Sequence, residues 1–229
     1  MTPSPPPAAA PPSGLPLRER KKLRTRHALI DTALRMFTER GFDGATLDEL
    51  CDAVEVSKRT FFRTFASKED VAMAPAEDMW RAFADRLAGR DLGGRPVAAE
   101  LRAVLRETVA AMPDEGWEHR MLLSRRLAAA TPSMDAHGLH FCNRTSARIV
   151  ADLHRRLDVD PADPRPRLAI DLVVAAWHHA LETWTAQEGG HTRGALAARL
   201  DAAFDALPGA LSFAAPARAD SPPPAESTG

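Results

Sequence analysis

Apolar residues recur three or four positions apart along most of the chain, which is the spacing of helices that bury one face. Leu23, Ile30, Leu34 and Phe37 show this spacing in the first such segment, which stops at Gly41. The full set of segments with this pattern lies at residues 17–40, 46–54, 58–65, 67–90, 97–112, 114–130, 133–157, 167–187 and 192–207. Strand-like alternation of apolar and polar residues is not found in the sequence. The pattern therefore predicts an all-α protein with about nine helices.

Short polar signals mark where several of these helices begin. The sequence TLDE at residues 46–49 is a capping box, in which the Thr46 hydroxyl accepts from the amide of Glu49 and the Glu49 carboxylate reaches back to the amide of Thr46. Ser57 and Ser67 stand at the same position before the next two helices. Pro75 falls inside the helix after Ser67, where its missing backbone donor predicts a kink.

Composition separates the helical part of the chain from its two ends. The first residues, MTPSPPPAAAPPSG, and the last, PARADSPPPAESTG, are rich in Pro and Ala. Such segments bury too little surface to offset the entropy lost on ordering. We therefore expect disordered tails at 1–16 and 208–229, a three-helix N-terminal domain at 17–66, and a six-helix bundle at 67–207.

The charge of the chain is unevenly distributed. The 229 residues have a net charge of −1, but residues 17–68 hold twelve Lys and Arg against eight Asp and Glu, a net charge of +4. The remaining residues hold 18 basic and 23 acidic side chains, a net charge of −5. A basic end on an acidic body indicates a polyanionic partner that binds at that end.

The basic end has the arrangement of a helix-turn-helix. A short helix, a turn and a second short helix that begins with Lys58 and Arg59 follow one another, and in such a motif the second helix enters the major groove. Phe61 and Phe65 are four residues apart and share the inner face, whereas Phe62 points toward the DNA side. The candidate contacts to double-stranded DNA are Thr46, Ser57, Lys58, Arg59, Thr60, Phe62, Arg63 and Lys68.

The segment ALRMFTERGFDGATLDELCDAVEVSKRTFFRTFASKEDV resembles the DNA-binding domain of TetR-family transcriptional regulators over its whole length. It contains the Gly-Phe-x-x-x-Thr entry, the Val-Ser turn and the run of Thr and two aromatic residues that are typical of this family. Two positions depart from the family pattern. Glu55 replaces a usual Gly at a turn position that favours positive φ, and Phe62 replaces a usual Tyr, so a phosphate hydrogen bond from that hydroxyl is lost.

The resemblance implies a repressor that binds a palindromic operator as a homodimer and responds to a small molecule. In such proteins the last two helices pack against those of the partner, and a twofold dimer presents two recognition helices to half-sites about one helical turn apart. The alternative is that both helices belong to the core of one chain. The candidate interface residues are Leu172, Ala176, His179, Leu196, Leu200 and Phe204.

The bundle carries several large apolar residues that could line a cavity for the effector. Any one of them is more often part of a core, but together with small Ala neighbours they could enclose an apolar ligand. A basic residue would receive an anionic group at the mouth. The candidate pocket residues are Trp80, Phe83, Trp117, Met121, Arg125, Phe141 and Trp177. The Phe-Phe form of the recognition run is similar to the branch that includes the mycofactocin-cluster regulator, which implies an acyl-CoA-like effector.

The sequence offers little support for an enzyme. His137, His140 and Cys142 are close in sequence but have no acid at metal-ligand spacing, so we expect no metal site. His178 and His179 point about 100° apart on a helix and cannot converge on one ion. Gly-rich phosphate loops and nucleophile elbows are not present in the sequence. We therefore expect neither catalysis nor a cofactor.

The remaining features concern location and one alternative function. Apolar runs stay well short of the ~18 residues of a membrane span, so we expect no membrane partner. The two cysteines make no disulfide framework, and the N-terminus lacks the order of a secretory signal, so we expect a cytoplasmic protein. A helical protein–protein adaptor with a basic end is the alternative function, and it would lack the steep salt dependence of DNA binding.

Overall fold

The computed structural model describes residues 16–112 and 116–214, and all regular secondary structure within these ranges is helical. The helices are α1 (Leu17–Arg40), α2 (Leu47–Ala53), α3 (Lys58–Phe62), α4 (Lys68–Ala88), α5 (Val97–Ala110), α6 (Trp117–Ala130), α7 (Pro132–Leu157), α8 (Arg165–Ala186) and α9 (Arg193–Ala210). The predicted all-α class, with three N-terminal helices followed by six more, is confirmed. None of the helices in the described ranges is long and apolar enough to cross a membrane.

Two predicted boundaries are wrong. Helix α3 ends at Phe62 rather than at residue 65, because the chain tightens there and the amide of Thr64 donates to the carbonyl of Phe61 at 2.7 Å. Helix α9 continues through Pro208 to Ala210, into the segment predicted as a tail. Residues 1–15 and 215–229 of the predicted tails lie outside the described residues.

The predicted caps form as expected. The Thr46 hydroxyl accepts from the amide of Glu49 at 3.2 Å, while the Glu49 carboxylate accepts from the amide of Thr46 at 2.8 Å. Ser57 accepts from the amide of Thr60 at 3.2 Å, and Ser67 accepts from the amide of Asp70 at 3.2 Å. Side-chain oxygens therefore satisfy helix amides that would otherwise lack partners.

Helix α4 takes part in two separate hydrophobic cores. Its first half, with Val71, Ala72 and Ala74, packs with α1, α2 and the Phe residues of the α3 region. Its second half packs in the core formed by α5–α9. Ala128 of α6 and Met134 of α7 also enter the N-terminal core. The domain boundary at residue 66 thus stays a prediction, and residues of α4, α6 and α7 pack across it into the N-terminal core.

Polar contacts tie α1 to helices α4 and α6 of the body. Arg26 donates to both carboxylate oxygens of Asp78 on α4, at 2.6 and 2.9 Å. Arg120 on α6 donates in the same bidentate way to Asp31, at 2.5 and 3.1 Å. Between them, the indole of Trp117 donates to the carbonyl of Pro75 at 3.1 Å. The proline within α4 is therefore held from the body side, and a kink at this point stays a prediction.

The turn between α2 and α3 has the backbone geometry that the sequence indicated. Glu55 has a φ of 54°, in the left-handed region that glycine adopts most readily. Its amide donates to the carbonyl of Asp52 at 3.1 Å, and the next amide, of Val56, donates to Cys51 at 2.9 Å. The chain therefore keeps the turn with a residue that has a Cβ atom in a strained conformation.

We expect Glu55→Gly to stabilise the protein. Left-handed backbone costs a non-glycine residue roughly 1–2 kcal/mol, which the substitution removes. The greater freedom of glycine in the unfolded chain offsets about 0.4–1 kcal/mol of this stabilisation. The free energy of unfolding, measured by urea denaturation, should therefore rise by about 0.5–1 kcal/mol. Glu55→Ala is the matched control, because alanine keeps the Cβ atom and should gain little. Equal stabilisation by both variants would contradict the backbone explanation.

Candidate nucleic-acid interface and interior cavity

Helix α3 presents a basic outer face on an aromatic base. The rings of Phe61 and Phe65 are buried, with centroids 5.8 Å apart. Phe62 is 54 % exposed and meets Phe61 edge to face at 5.4 Å. The division of the three rings agrees with the sequence analysis, and it holds Lys58, Arg59 and Arg63 on the solvent side.

The basic side chains of this face differ in how freely they could meet a phosphate or a base edge. Lys58 forms an exposed ion pair with Asp48 of α2 at 2.6 Å, and the hydrogen bond to that carboxylate raises the pKa of the lysine. Arg59 and Arg63 are exposed and have no ion pair within the described part of the chain. These two guanidinium groups are therefore the most available donors on α3.

Several of the predicted hydroxyl contacts already cap helices. The Thr46 hydroxyl lies 2.8 Å from Oε2 of Glu49 and also accepts the Glu49 amide. Hydrogen bonds from the amide and hydroxyl of Thr46 lower the pKa of the Glu49 carboxyl. The hydroxyls of Ser57 and Thr60 lie 3.1 Å apart. Ser57 and Thr46 are exposed, so each hydroxyl could contact a phosphate while it also caps its helix.

Lys68 is placed differently from the other predicted DNA contacts. Its ammonium donates to the carbonyl of Phe42 at 2.5 Å and lies 4.5 Å from the centre of the Phe42 ring and 5.2 Å from that of Phe37. The structure therefore directs this charge against protein, where it fastens the start of α4 to the turn after α1. The family resemblance drew attention to the charge, whereas only the fold shows which way it points.

A groove between α1 and α3 adds basic residues that the sequence analysis did not single out. Arg18, Lys21 and Lys22 of α1 line it together with Thr60 and Arg63 of the α3 region. The high density of Lys and Arg in residues 17–40 was the available signal. It did not show which of these side chains share a surface with α3. The groove enlarges the cationic surface beyond the recognition helix.

The body contains a cavity of about 260 Å³ between α4, α6, α7 and α8. Five of the predicted pocket residues line it: Trp80, Met121, Arg125, Phe141 and Trp177. The sequence analysis missed other lining residues, among which the polar ones are Glu77, Ser124, Asp135, Cys142, His178 and Glu182. They could not be recognised because each is an ordinary polar position on its own helix.

Two predicted pocket residues lie elsewhere. Phe83 is fully buried in the body core, where its ring meets that of Trp80 edge to face with centroids 5.3 Å apart. Trp117 is buried with its indole on the carbonyl of Pro75, on the side that faces α1. Both residues are large and apolar, but their helices turn them toward other neighbours. Phe83 and Trp117 therefore support the cavity region without lining it.

The cavity combines aromatic walls with a basic group. The rings of Trp80 and Trp177 meet nearly perpendicularly, with centroids 5.9 Å apart. The imidazole of His178 is partly exposed, but its enclosure in the cavity wall, followed by the charge of Arg125, lowers its pKa. The lowered pKa favours the neutral imidazole of His178, whereas arginine side chains stay positively charged in proteins. The aromatic walls suit an apolar molecule. Arg125 is the one arginine or lysine among the lining residues, and it shares the lining with the carboxylates of Glu77, Asp135 and Glu182.

Most of the predicted dimer residues are buried within the chain. Ala176, Leu196, Leu200 and Phe204 belong to the body core, because α8 and α9 pack against each other and against α5. They cannot contact a partner directly. Of the predicted set, Leu172 is half-buried and His179 is exposed.

The outer face of these two helices is nevertheless distinctive. On α8 it carries Leu168, Leu172, Ala175 and His179, at the helical spacing of one stripe. On α9 it carries the exposed residues Ala198, Ala202 and Ala206. Small and apolar side chains at these positions allow the backbones of two copies to approach closely. The outward stripe, rather than the buried one, is the surface that a partner could cover.

Comparison with known proteins agrees with both halves of the structure. Residues 29–74 match the family described as "Bacterial regulatory proteins, tetR family", and residues 95–212 match the family described as "MftR C-terminal domain". The second match alone covers more than half of the chain.

Full-length relatives support the same assignment. The HTH-type transcriptional regulator TcmR of Streptomyces glaucescens is 32% identical over 203 residues, which cover 86% of this chain and 88% of TcmR. MftR of Mycobacterium tuberculosis H37Rv, named for mycofactocin biosynthesis, is 26% identical over 186 residues, which cover 80% of this chain and 90% of MftR.

A solved structure shows the same fold. The fatty acid degradation regulator FadR from Bacillus halodurans superposes with a TM-score of 0.52 at 16% identity, covering 83% of this chain and 97% of FadR. At that identity the likeness concerns the fold alone. The two family matches and the full-length relatives show that the chain belongs to the TetR family of DNA-binding transcriptional regulators and has a C-terminal domain of the MftR type.

Proposed function

We propose that this regulator is a repressor that binds a palindromic operator as a homodimer and is released by a small apolar or acyl-type effector. The observation that carries the proposal is the position of α4. Its first half packs in the core beneath the basic helix α3, while Met73, Ala76, Glu77 and Trp80 of the same helix line the interior cavity. A molecule in the cavity would therefore contact the helix on which the DNA-binding helices rest.

The operator contacts follow from the exposed basic surface. Arg59 and Arg63 would donate to base edges and phosphates from α3, and Lys58 would have to exchange Asp48 for DNA. Thr46, Ser57, Thr60 and Phe62 would lie at the same surface, flanked by the basic residues of α1. Lys68 would contribute by holding α4 in place. Family membership favours this role over the protein–protein adaptor. The exposed cationic surface favours it as well, because an adaptor needs no such surface.

Dimerisation would use the outer stripe of α8 and α9. Two recognition helices on one molecule are needed to match two half-sites of a palindrome, and a single short helix binds DNA weakly. The small residues on the stripe allow close packing, and Leu168, 56 % exposed, is a large apolar side chain that a partner would cover.

The effector would place its apolar part between Trp80, Phe141 and Trp177 and its anionic group near Arg125. The MftR-type domain and the name of FadR as a fatty acid degradation regulator direct attention to acyl compounds, including acyl-CoA thioesters. Release requires that the effector bind more tightly to the conformation with low operator affinity. Movement of α4 about Pro75 is the proposed route between the two sites.

We expect Arg59→Ala to weaken operator binding by about 10- to 100-fold, because a lost base or phosphate contact costs roughly 1–3 kcal/mol. The operator would be located by footprinting the DNA that flanks the gene, and the affinity would be measured by fluorescence anisotropy at several salt concentrations. Wild-type affinity should fall steeply with salt.

Arg155→Ala is the control for this experiment. Arg155 is an exposed arginine at the end of α7, and its contact with Asp152 at 2.9 Å joins two residues of one helix. Its loss should leave operator affinity unchanged. If Arg59→Ala and Arg63→Ala both bind like the wild type, α3 does not contact the operator.

We expect Ala175→Arg to disrupt the dimer, because it places a long charged side chain in the middle of the outward stripe of α8. Sedimentation velocity should show a dimer for the wild type and a monomer for the variant. Operator binding should fall with it, since half of the contacts are lost. Ala129→Arg, at an exposed position of α6, is the control and should remain dimeric. A dimeric Ala175→Arg protein would place the interface elsewhere.

We expect Arg125→Ala to weaken binding of dodecanoate or dodecanoyl-CoA by about tenfold or more, because a hydrogen bond to a charged group contributes roughly 1.5–3 kcal/mol. Binding of dodecanol should change little. Trp80 and Trp177 line the cavity, so their fluorescence reports occupancy.

The neighbouring Arg126 supplies the matched control, since it is exposed and is not among the cavity-lining residues. Arg126→Ala should bind every probe like the wild type. Equal losses for dodecanoate and dodecanol in Arg125→Ala would show that the guanidinium does not act on the anionic group. Saturation of the cavity without any change in operator affinity would contradict the proposed release.

A further inference from the structure

A second polar site lies where the first half of α4 faces α7. Asp70 and Glu77 of α4 meet His137 of α7, and one ligand atom from each lies within 4.8 Å of the other two. His137, His140 and Cys142 have no acid at metal-ligand spacing in the sequence, and for that reason a metal site was not expected. The fold supplies two carboxylates from α4, which lie 60 and 67 residues before His137 in the sequence.

The closest pair is close to the spacing of two ligands on one ion. Nε2 of His137 lies 2.8 Å from Oε1 of Glu77. Ligand atoms that each lie about 2.1 Å from a tetrahedral zinc ion are themselves roughly 3.4 Å apart, so the two side chains would separate by roughly 0.6 Å to bind one ion. Oδ2 of Asp70 accepts from the amide of Ala66 at 2.7 Å, and the carboxylate has a second oxygen to offer. A cation between Glu77 and His137 would replace the hydrogen bond that now joins them.

Glu77 is held in a way that suits a ligand. Its side chain is only 3 % exposed. Arg81 donates to Oε2 of Glu77 and also binds Asp78 at 2.8 Å. This arrangement fixes the carboxylate and leaves Oε1 toward His137. The guanidinium also adds a positive charge nearby, so we expect weaker binding than at a closed structural zinc site.

The site is open to solvent through a cleft of about 460 Å³, which Asp70, Glu77 and His137 all line. His140 lines the same cleft, three residues after His137 and thus on the same side of α7. It is exposed, so its ring could turn toward an ion. The cleft provides both an entry path and a fourth ligand.

We propose that Asp70, Glu77 and His137 bind a divalent first-row transition metal such as Zn²⁺, with His140 as an additional ligand. An imidazole with carboxylates suits such ions, whereas Ca²⁺ and Mg²⁺ prefer sites made of oxygen atoms. The ion would join the first turn of α4, directly after the α3 region, to α7. Because Glu77 and Phe141 line both the cleft and the interior cavity, metal binding would also bear on the effector site.

The test is isothermal titration of the full chain, free of any histidine tag, with ZnCl₂ at pH 7.5. We expect saturable binding of one ion per chain. His137→Gln keeps an amide that can donate to Glu77 but removes the imidazole. It should weaken Zn²⁺ binding by more than the roughly 10- to 100-fold that loss of an outer-shell partner costs. Asp70→Asn should also weaken binding.

His119→Gln is the matched control, since His119 is an exposed histidine on α6, outside the cleft. It should bind like the wild type, and thermal melts would confirm that each variant is folded. Absence of binding by the wild type, or equal binding by His137→Gln, would overturn the proposal. Titration with Co²⁺ adds an independent check, because an intense thiolate charge-transfer band would assign the ion to a cysteine instead.

Discussion

The structure depends on the shared burial of α4. Val71, Ala72 and Ala74 are buried with the helix-turn-helix, and Met79 and Phe83 are buried with the body, within one continuous helix. Neither core is complete without its half of this helix. Since close-packed interiors transmit small shifts rather than absorb them, a displacement of α4 in the body also displaces the support of α3. This one constraint connects the DNA-binding surface, the interior cavity and the cleft at Glu77.

The charged residues of the N-terminal region divide into two groups with different roles. Arg26 and Lys68 are directed inward, onto Asp78 and onto the Phe42 turn, and they hold α1 and α4 together. Arg59 and Arg63 are directed outward and have no ion pair among the described residues. Inward charges stabilise the geometry, because partly buried bidentate pairs are better placed than exposed ones. The outward charges are left for a polyanion. Net charge alone does not distinguish the two groups.

Local features of the fold were predictable because they depend on neighbouring residues only. The capping box at Thr46 and the serine cap at Ser57 each follow from a few consecutive positions, whereas the positive φ at Glu55 was implied by the family resemblance. The packing of Phe61 and the exposure of Phe62 follow from helical periodicity. The end of α3 and the extension of α9 were missed, since the last turn of a helix depends on contacts that propensity does not describe.

The sequence by itself determined the all-α class, the helix-turn-helix and the family, because periodicity, caps and motif residues are properties of short segments. Only the tertiary structure decided that Ala176 and Leu200 face the core rather than a partner, that Phe83 lies behind the cavity, and that Glu77 meets His137. Periodicity shows that a helix has a buried face, but not which neighbour covers it. That choice depends on how nine helices pack in the described chain, and the packing brings together residues that are far apart in sequence.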